Sequence, residues 1–495
     1  MPMQADLLAL LPEGLVTVGI LAVLLVGARR GPWPGRKSWL TWLSTVALLA
    51  AGVALAFADA QDRSLFSGMV ALDGMGLFFR GLFVVAGLGG VLMGALSTEI
   101  AEERLGEYLA LLLSVTLGLM LLGSAQNLLM VYLALELVSV PSYVLAGFRR
   151  GNRESSEAAL KYVVFGGVAS GLMLYGFSLL YGLTGSLGFA ELAQFMGGVS
   201  EADATTRVIV ILAGILSLAG FGYKVAAVPF HMWCPDVYQG APTPFVAFLS
   251  VAPKAGGIAA LIRFLTVGFG AEEALAGTSP WPWAVVIAIV SVATMTLGNL
   301  IAIPQNNLKR LLAYSSIAHA GYMLMGVAVG TPQAIQAVMF YLGVYLAMNF
   351  GAFLIVMAVR DRTGQESIES YRGLGGTSPV LAVALAIFLF SLTGIPPFAG
   401  FIGKFYLFAA LLETHNAMFY VVAIIGVLNS AVSLYYYARV VKAMFLEKAE
   451  GAALAPAVTA AYAGLTAAFV GPTLLLGVWW VPLVETIERL GTVVR

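Results

Sequence analysis

Apolar stretches long enough to cross a bilayer, about 20 residues each, recur along almost the whole chain. They fall at approximately 6–28, 38–58, 67–96, 108–123, 126–148, 157–184, 206–229, 242–266, 282–303, 308–330, 335–359, 379–411, 417–445 and 456–486. Lipid offers a backbone N–H or C=O no partner, so a stretch this long must close its hydrogen bonds on itself as a helix. The pattern predicts an all-α polytopic membrane protein with about fourteen transmembrane helices. Composition agrees: 60 % of the 495 residues are hydrophobic and 11 % charged, where a soluble domain needs roughly a quarter charged.

Basic residues orient the bundle. With the N-terminus outside, the inner loops carry Arg29, Arg30, Arg36 and Lys37; Arg149, Arg150 and Arg153; Lys309 and Arg310; Arg360, Arg362 and Arg372; and Arg439, Lys442 and Lys448. The outer loops hold little beyond Arg63, Arg207, Arg489 and Arg495. This asymmetry follows the positive-inside rule and predicts both termini on the periplasmic side. The opening MPMQAD lacks the basic flank of a cleavable signal peptide, so the first segment is read as retained.

The segments group as 1–100 (helices 1–3), 108–266 (helices 4–8), 282–446 (helices 9–13) and 456–486 (helix 14). Two consecutive blocks of five crossings run in opposite senses, an inverted repeat of the kind transporters use. The fourth helix of each block places a lysine beside prolines: Lys224 with Pro229, and Lys404 with Pro396 and Pro397. The correspondence is one of position; residue-level similarity between the blocks is weak. Helices 7 and 12 are thus expected to be broken by proline.

Four ionisable side chains lie deep in apolar sequence: Glu136 in LLMVYLALELVSVPSYVLAGF, Lys224 in LSLAGFGYKVAAVPF, Lys254 in FVAFLSVAPKAGGIAALI and Lys404 in PPFAGFIGKFYLFAALL. Each costs roughly 2.5–3.5 kcal/mol at a helix centre, on the order of 10 kcal/mol together. One reading is that they form buried pairs that lock helices together. Three lysines against one glutamate leave surplus cation, however. Burial disfavours a charged amine and a nearby carboxylate restores it, so a lysine whose carboxylate moves nearer or farther exchanges a proton near neutral pH. Proton relay is the favoured reading.

Pro229 lacks an N–H and clashes with the carbonyl of Val225; Pro396 and Pro397 free the carbonyls of Leu392 and Thr393 in the same way. Such breaks are tolerated where loose backbone is buried or lines a watery cavity. His231, just past Pro229, reads equally as a relay to Lys224 or as an interfacial cap. His319, in LLAYSSIAHAGYMLMG among Tyr314, Ser315, Ser316 and Tyr322, reads as a relay between the blocks. His415 and Asp236 are expected in a solvated loop and in a turn or helix cap. Asp73 is expected at an interface, and Glu99, Glu102 and Glu103 in a solvated loop that is a candidate partner surface.

The one cysteine, Cys234, cannot hold an iron–sulfur cluster, which needs about four ligands. The histidines are too scattered for a metal site, and no glycine fingerprint joins a strand to a helix. No cofactor or metal is predicted in this chain, and zero net charge gives no sign of nucleic acid as a partner.

FGYKVAAVPFHMWCPDVYQGAPTPFVAFLSVAPKAGG, with LALELVSVPSYVLAGF, LKRLLAYSSIAHAGYMLMG and TGIPPFAGFIGKFYLF, resembles the antiporter-like membrane subunits of respiratory complex I. Within that family PDVYQGAPTP with SVAPK is similar to the N-type branch. L- and M-type subunits and Mrp antiporter subunits usually have alanine–histidine where this chain has Val237 and Tyr238, and generally lack Lys254. Gln239 departs from a glutamate common in the N type. The chain also ends after helix 14, without the long lateral helix of the L type.

The resemblance implies proton translocation driven by quinone reduction elsewhere in a complex. Glu136 would modulate Lys224, Lys254 would connect the halves, and Lys404 would discharge to the periplasm. NADH, FMN, iron–sulfur clusters and a quinone would reside in other subunits, so this chain alone would reduce nothing. The implied partners are an M-type neighbour, the small K, J and A subunits and membrane lipid, in a bacterial inner (cell) membrane. Two other readings stand beside it: a Mrp-type cation/proton antiporter subunit without redox drive, and a structural module anchoring its neighbours in a hydrogenase or quinone-reductase assembly.

Overall fold

The computed structural model describes residues 2–29, 34–58, 60, 62–270, 283–448 and 459–491. Arg30 and Arg495 of the charge pattern lie outside them, as do residue 282 of the ninth predicted segment and residues 456–458 of the fourteenth.

The chain opens with α1 (Pro2–Ala9), α2 (Leu11–Gly27) and α3 (Arg36–Ala56), then a hairpin of β1 (Arg63–Leu65) and β2 (Val70–Leu72). The helices α4 (Gly74–Leu96), α5 (Leu105–Gly123), α6 (Leu128–Ala146), α7 (Arg153–Thr184), α8 (Phe189–Gly198), α9 (Ala204–Val225), α10 (Trp233–Gly240) and α11 (Thr243–Arg263) follow. After the undescribed stretch come α12 (Trp283–Ala302), α13 (Leu308–Val329), α14 (Pro332–Thr363), α15 (Pro379–Thr393), α16 (Ala399–Leu412), α17 (Ala417–Leu446), α18 (Ala460–Val478) and α19 (Val481–Leu490). Among the described residues twelve helices are long and apolar enough to cross a membrane. The two other predicted segments are shorter apolar helices: α2, and α15 followed by α16.

Side-chain caps fix many of the starts. Asn127, Asn152, Asp203, Asn307, Thr331, Asn416 and Thr459 each accept from a backbone N–H of the turn they precede, satisfying donors the helix leaves open.

Two boundaries and one extra element differ from the hydropathy reading. Segment 67–96 begins as strand, with Arg63↔Leu72 and Leu65↔Val70 paired antiparallel; the helix starts at Gly74, where the Asp73 carboxylate caps Gly76 N–H. Segment 456–486 ends at Val478, and α19 restarts with Pro482 in its first turn. Its Glu485, Glu488 and Arg489 suit a water-facing helix. The short α8 was not expected at all.

The two proline breaks are present as expected. α9 stops at Val225, with Ala226 left-handed (φ 60°), and α15 stops at Thr393. The Val228–Pro229 and Pro396–Pro397 bonds are cis.

Every residue of α11 is buried, and α13 and α14 are nearly as enclosed. Small residues permit this density, since lipid-embedded helices associate by close packing. A Cβ on Gly298 of α12 would stand 2.7 Å from the Ala318 backbone nitrogen, and one on Gly321 of α13 would stand 2.5 Å from that of Met295.

Candidate functional site

Five of the six predicted residues fall on the inward faces of α6, α9, α11, α13 and α16. Glu136, on α6, accepts a 2.6 Å hydrogen bond from the Ser170 hydroxyl of α7. One turn on, Ser139 Oγ accepts from Lys224 Nζ at 2.8 Å. Glu136 and the Lys224 anchor Ser139 are therefore one turn apart on α6, and Glu136 and Lys224 form no ion pair. Lys224 is the penultimate residue of α9, so the helix break frees its ammonium to turn inward. Its stem lies against Gly257 of α11, where a Cβ would meet Lys224 Cγ at 3.0 Å.

One turn before Gly257 on the same helix is Lys254. Its Nζ donates to Ser316 Oγ of α13 at 2.8 Å, and Ser316 is within 3.2 Å of the Tyr238 hydroxyl of α10. Along α13 the same stripe continues from Ser316 to His319 to Tyr322, at helical spacing. His319 Nδ1 pairs with Tyr341 OH at 2.5 Å, and its Nε2 is 3.5 Å from Tyr437 OH. Tyr437 also hydrogen-bonds Ser315.

Lys404 closes the row. Its Nζ donates to the carbonyls of Leu392 (3.1 Å) and Thr393 (2.9 Å) and to Ser430 Oγ (2.6 Å). Those are the two carbonyls that the prolines were expected to free. They form the negative end of α15, where a cation is favoured. The Lys404 ammonium also stands over the Tyr322 ring, 4.5 Å from its centroid. Gly394 makes the turn at φ +90°, a conformation side chains resist, and a Cβ there would press on Lys404 Cδ at 2.9 Å.

Lys224, Lys254 and Lys404 are buried, at 1 %, 1 % and 4 % exposure. Among the described residues none of them is ion-paired with a carboxylate. His231 stands apart, half-buried in the link between α9 and α10, with no hydrogen bond to Lys224 and its Nδ1 without a partner.

The structure corrects two charge assignments. Asp73 is fully buried and bidentate with Arg263, at 2.5 and 2.7 Å, rather than interfacial. The Glu99 side chain, 1 % exposed, is no solvated patch. It pairs with Arg149 and Arg360 and caps α11 by accepting from Thr243 N–H. Asp236 sits in the first turn of α10, bound by Lys161 and Arg310. The most buried ion pairs among the described residues are Glu13–Arg80, Asp73–Arg263, Glu99 with its two arginines, and Lys309–Glu366, none of which was singled out from sequence. Glu366 lies in the loop after α14. Burial works to raise its carboxyl, yet Lys309, Asn307 and Arg360 hold it below the usual carboxylate range.

Hydropathy also passed over Ser139, Ser170, Ser430, Tyr341 and Tyr437. Only Ser139 carried a signal, standing one turn from Glu136.

Residues 125–433 match the family model of the NADH:quinone oxidoreductase/Mrp antiporter transmembrane region. The chain is 48 % identical to the NADH-quinone oxidoreductase subunit N of an Anaeromyxobacter species, over 96 % of this chain and 95 % of that protein. Its fold superposes on a chain of respiratory complex I from Thermus thermophilus with a TM-score of 0.78 and 33 % identity, covering 96 % and 98 % of the two chains. A chain of the Mrp complex from Dietzia sp. DQ12-45-1b superposes with a TM-score of 0.81 over 98 % and 97 %; at 23 % identity that likeness is one of fold.

Proposed function

The chain belongs to the NADH:quinone oxidoreductase/Mrp antiporter membrane family, and we propose that it is the antiporter-like N subunit of an NADH:quinone oxidoreductase, moving protons through its buried lysines. What carries the reading is the series of polar side chains that runs inward from α6 and α9 into the most enclosed helices and on to α16: Glu136, Ser139 and Lys224; then Lys254 and Ser316; then His319, Tyr322 and Lys404. Three ammonium groups held by hydroxyls and carbonyls, while the carboxylates elsewhere hold arginines and the lysines Lys161, Lys309 and Lys442, are arranged for proton exchange rather than for clamping helices.

In this reading Lys224 is loaded under the influence of Glu136, one turn from its anchor Ser139 on α6. Lys254 passes charge across α11 to Ser316, His319 relays it along α13, and Lys404 releases it at the second break. His231 serves the α9–α10 link. NADH, FMN, iron–sulfur clusters and quinone belong to other subunits, and the neighbours are an M-type subunit and the small K, J and A subunits. The blocks 108–266 and 282–446 act as the two inverted halves. The chain lies in a bacterial inner membrane with both termini periplasmic.

The test is to extract the tagged chain gently from membranes and assay it for NADH-driven quinone reduction. Co-purifying subunits with activity support the reading. A chain that emerges alone, or only with antiporter-like partners and no NADH activity, refutes it.

A further inference from the structure

Among the described residues Lys404 differs from Lys224 in having no carboxylate at its own level on a helix packed against it. Of the helices packed against α16, α15 offers only carbonyls at this level, and the one titratable side chain of α18, Tyr462, is bound to Asp361 at 2.8 Å. The titratable groups around the site are His319 and Tyr322 of α13, Tyr341 of α14, and Tyr436 and Tyr437 of α17. The three N–H groups of the ammonium are taken by Leu392, Thr393 and Ser430. The Tyr322 ring, 4.5 Å away, meets the charge with its face.

That ring is held at its far end. Asn299 of α12 donates to Tyr322 OH at 3.4 Å and to Asn429 Oδ1 at 3.2 Å, while Tyr436 donates to Asn299 Oδ1 at 2.9 Å. Asn429 in turn donates to Thr296 Oγ1 at 3.1 Å. A fully connected amide and hydroxyl network thus pins the hydroxyl edge and leaves the electron-rich face to the lysine.

We infer that Tyr322 is a positioning residue for the second lysine site, its ring face standing in for the counter-charge that Lys404 lacks. A desolvated cation over an aromatic face gains more than an exposed one, and a neutral partner leaves the proton free to go where a carboxylate would retain it. This inference rests on the proposed role of Lys404 as a proton site.

The experiment measures NADH-driven proton pumping by the purified whole complex in vesicles, from pH 6 to 8. The variants are Lys404→Ala, Tyr322→Leu, Tyr322→Phe, and phenylalanines of increasing ring fluorination at position 322, which keep shape while draining the ring face. The inference expects Tyr322→Phe to pump within about twofold of wild type and the fluorinated series to fall in order. It expects Tyr322→Leu to pump about fivefold more slowly at neutral pH, its profile displaced by about one pH unit toward acid. A flat fluorination series, or Tyr322→Phe as impaired as Tyr322→Leu, overturns it while a defective Lys404→Ala leaves the lysine's role standing. A Lys404→Ala complex that pumps normally removes both together.

Discussion

A buried ammonium needs acceptors for three N–H groups, and the lysines at the two breaks find them differently. Lys224 has the Ser139 hydroxyl on the helix that carries Glu136; Lys404 has two backbone carbonyls and Ser430. Losing one hydroxyl should therefore hurt the first site more. Ser139→Ala is expected to slow proton pumping in vesicles about tenfold, the scale of a hydrogen bond to a charged group, and Ser430→Ala to slow it no more than about threefold. Equal effects would contradict this difference. Glu366 sets a pH dependence outside the bilayer. Its folded carboxyl titrates below its ordinary 4.5, so its contribution to stability is complete above that value and disappears as pH falls through the lower, folded one. Glu366→Gln should lower the midpoint of thermal unfolding by a few degrees at pH 7, and wild type and variant should converge as pH falls below the folded carboxyl's own lowered range.

At the scale of elements, the broken helices depend on what occupies the gap. Gly394→Ala places a side chain at φ +90° and pushes on Lys404. It is expected to cost about 1–2 kcal/mol in backbone conformation and to impair pumping more than its stability loss explains, read by thermal unfolding beside vesicle pumping. Arg263→Leu strands Asp73 in the core and should cost about 3–5 kcal/mol, seen as loss of the folded chain from membranes. Sequence pointed to the breaks because Pro229, Pro396 and Pro397 stand near lysines at matching positions of the two blocks, not because of proline alone, since Pro141, Pro253 and Pro472 lie inside continuous helices; it located the lysines because charge in an apolar run is conspicuous. It missed α8, the β1–β2 hairpin and α19 because each is too short to register in a bilayer-length window. The partners of Asp73 and Glu99 were illegible for another reason. A charge near a segment end looks interfacial until the tertiary fold brings Arg263, Arg149 and Arg360 to it.

For the molecule as a whole, burial and polarity point the same way. The helices with least exposure, α11, α13 and α14, carry Lys254, the Ser316–His319–Tyr322 stripe and Tyr341. α3, α17 and α18 are far more exposed. Polar groups so enclosed cost free energy unless satisfied, and here Ser139, Ser316, Tyr341 and Ser430 each satisfy one of them in local clusters set between the two broken helices. The central claim is that protons use these clusters in the assembled complex. The measurement that tests it most directly is the initial rate of NADH-driven proton pumping by vesicles containing the complex with Lys224→Ala, compared with wild type at equal assembly. The account predicts pumping reduced at least tenfold in a complex that retains its full set of subunits. Pumping at the wild-type rate would contradict it.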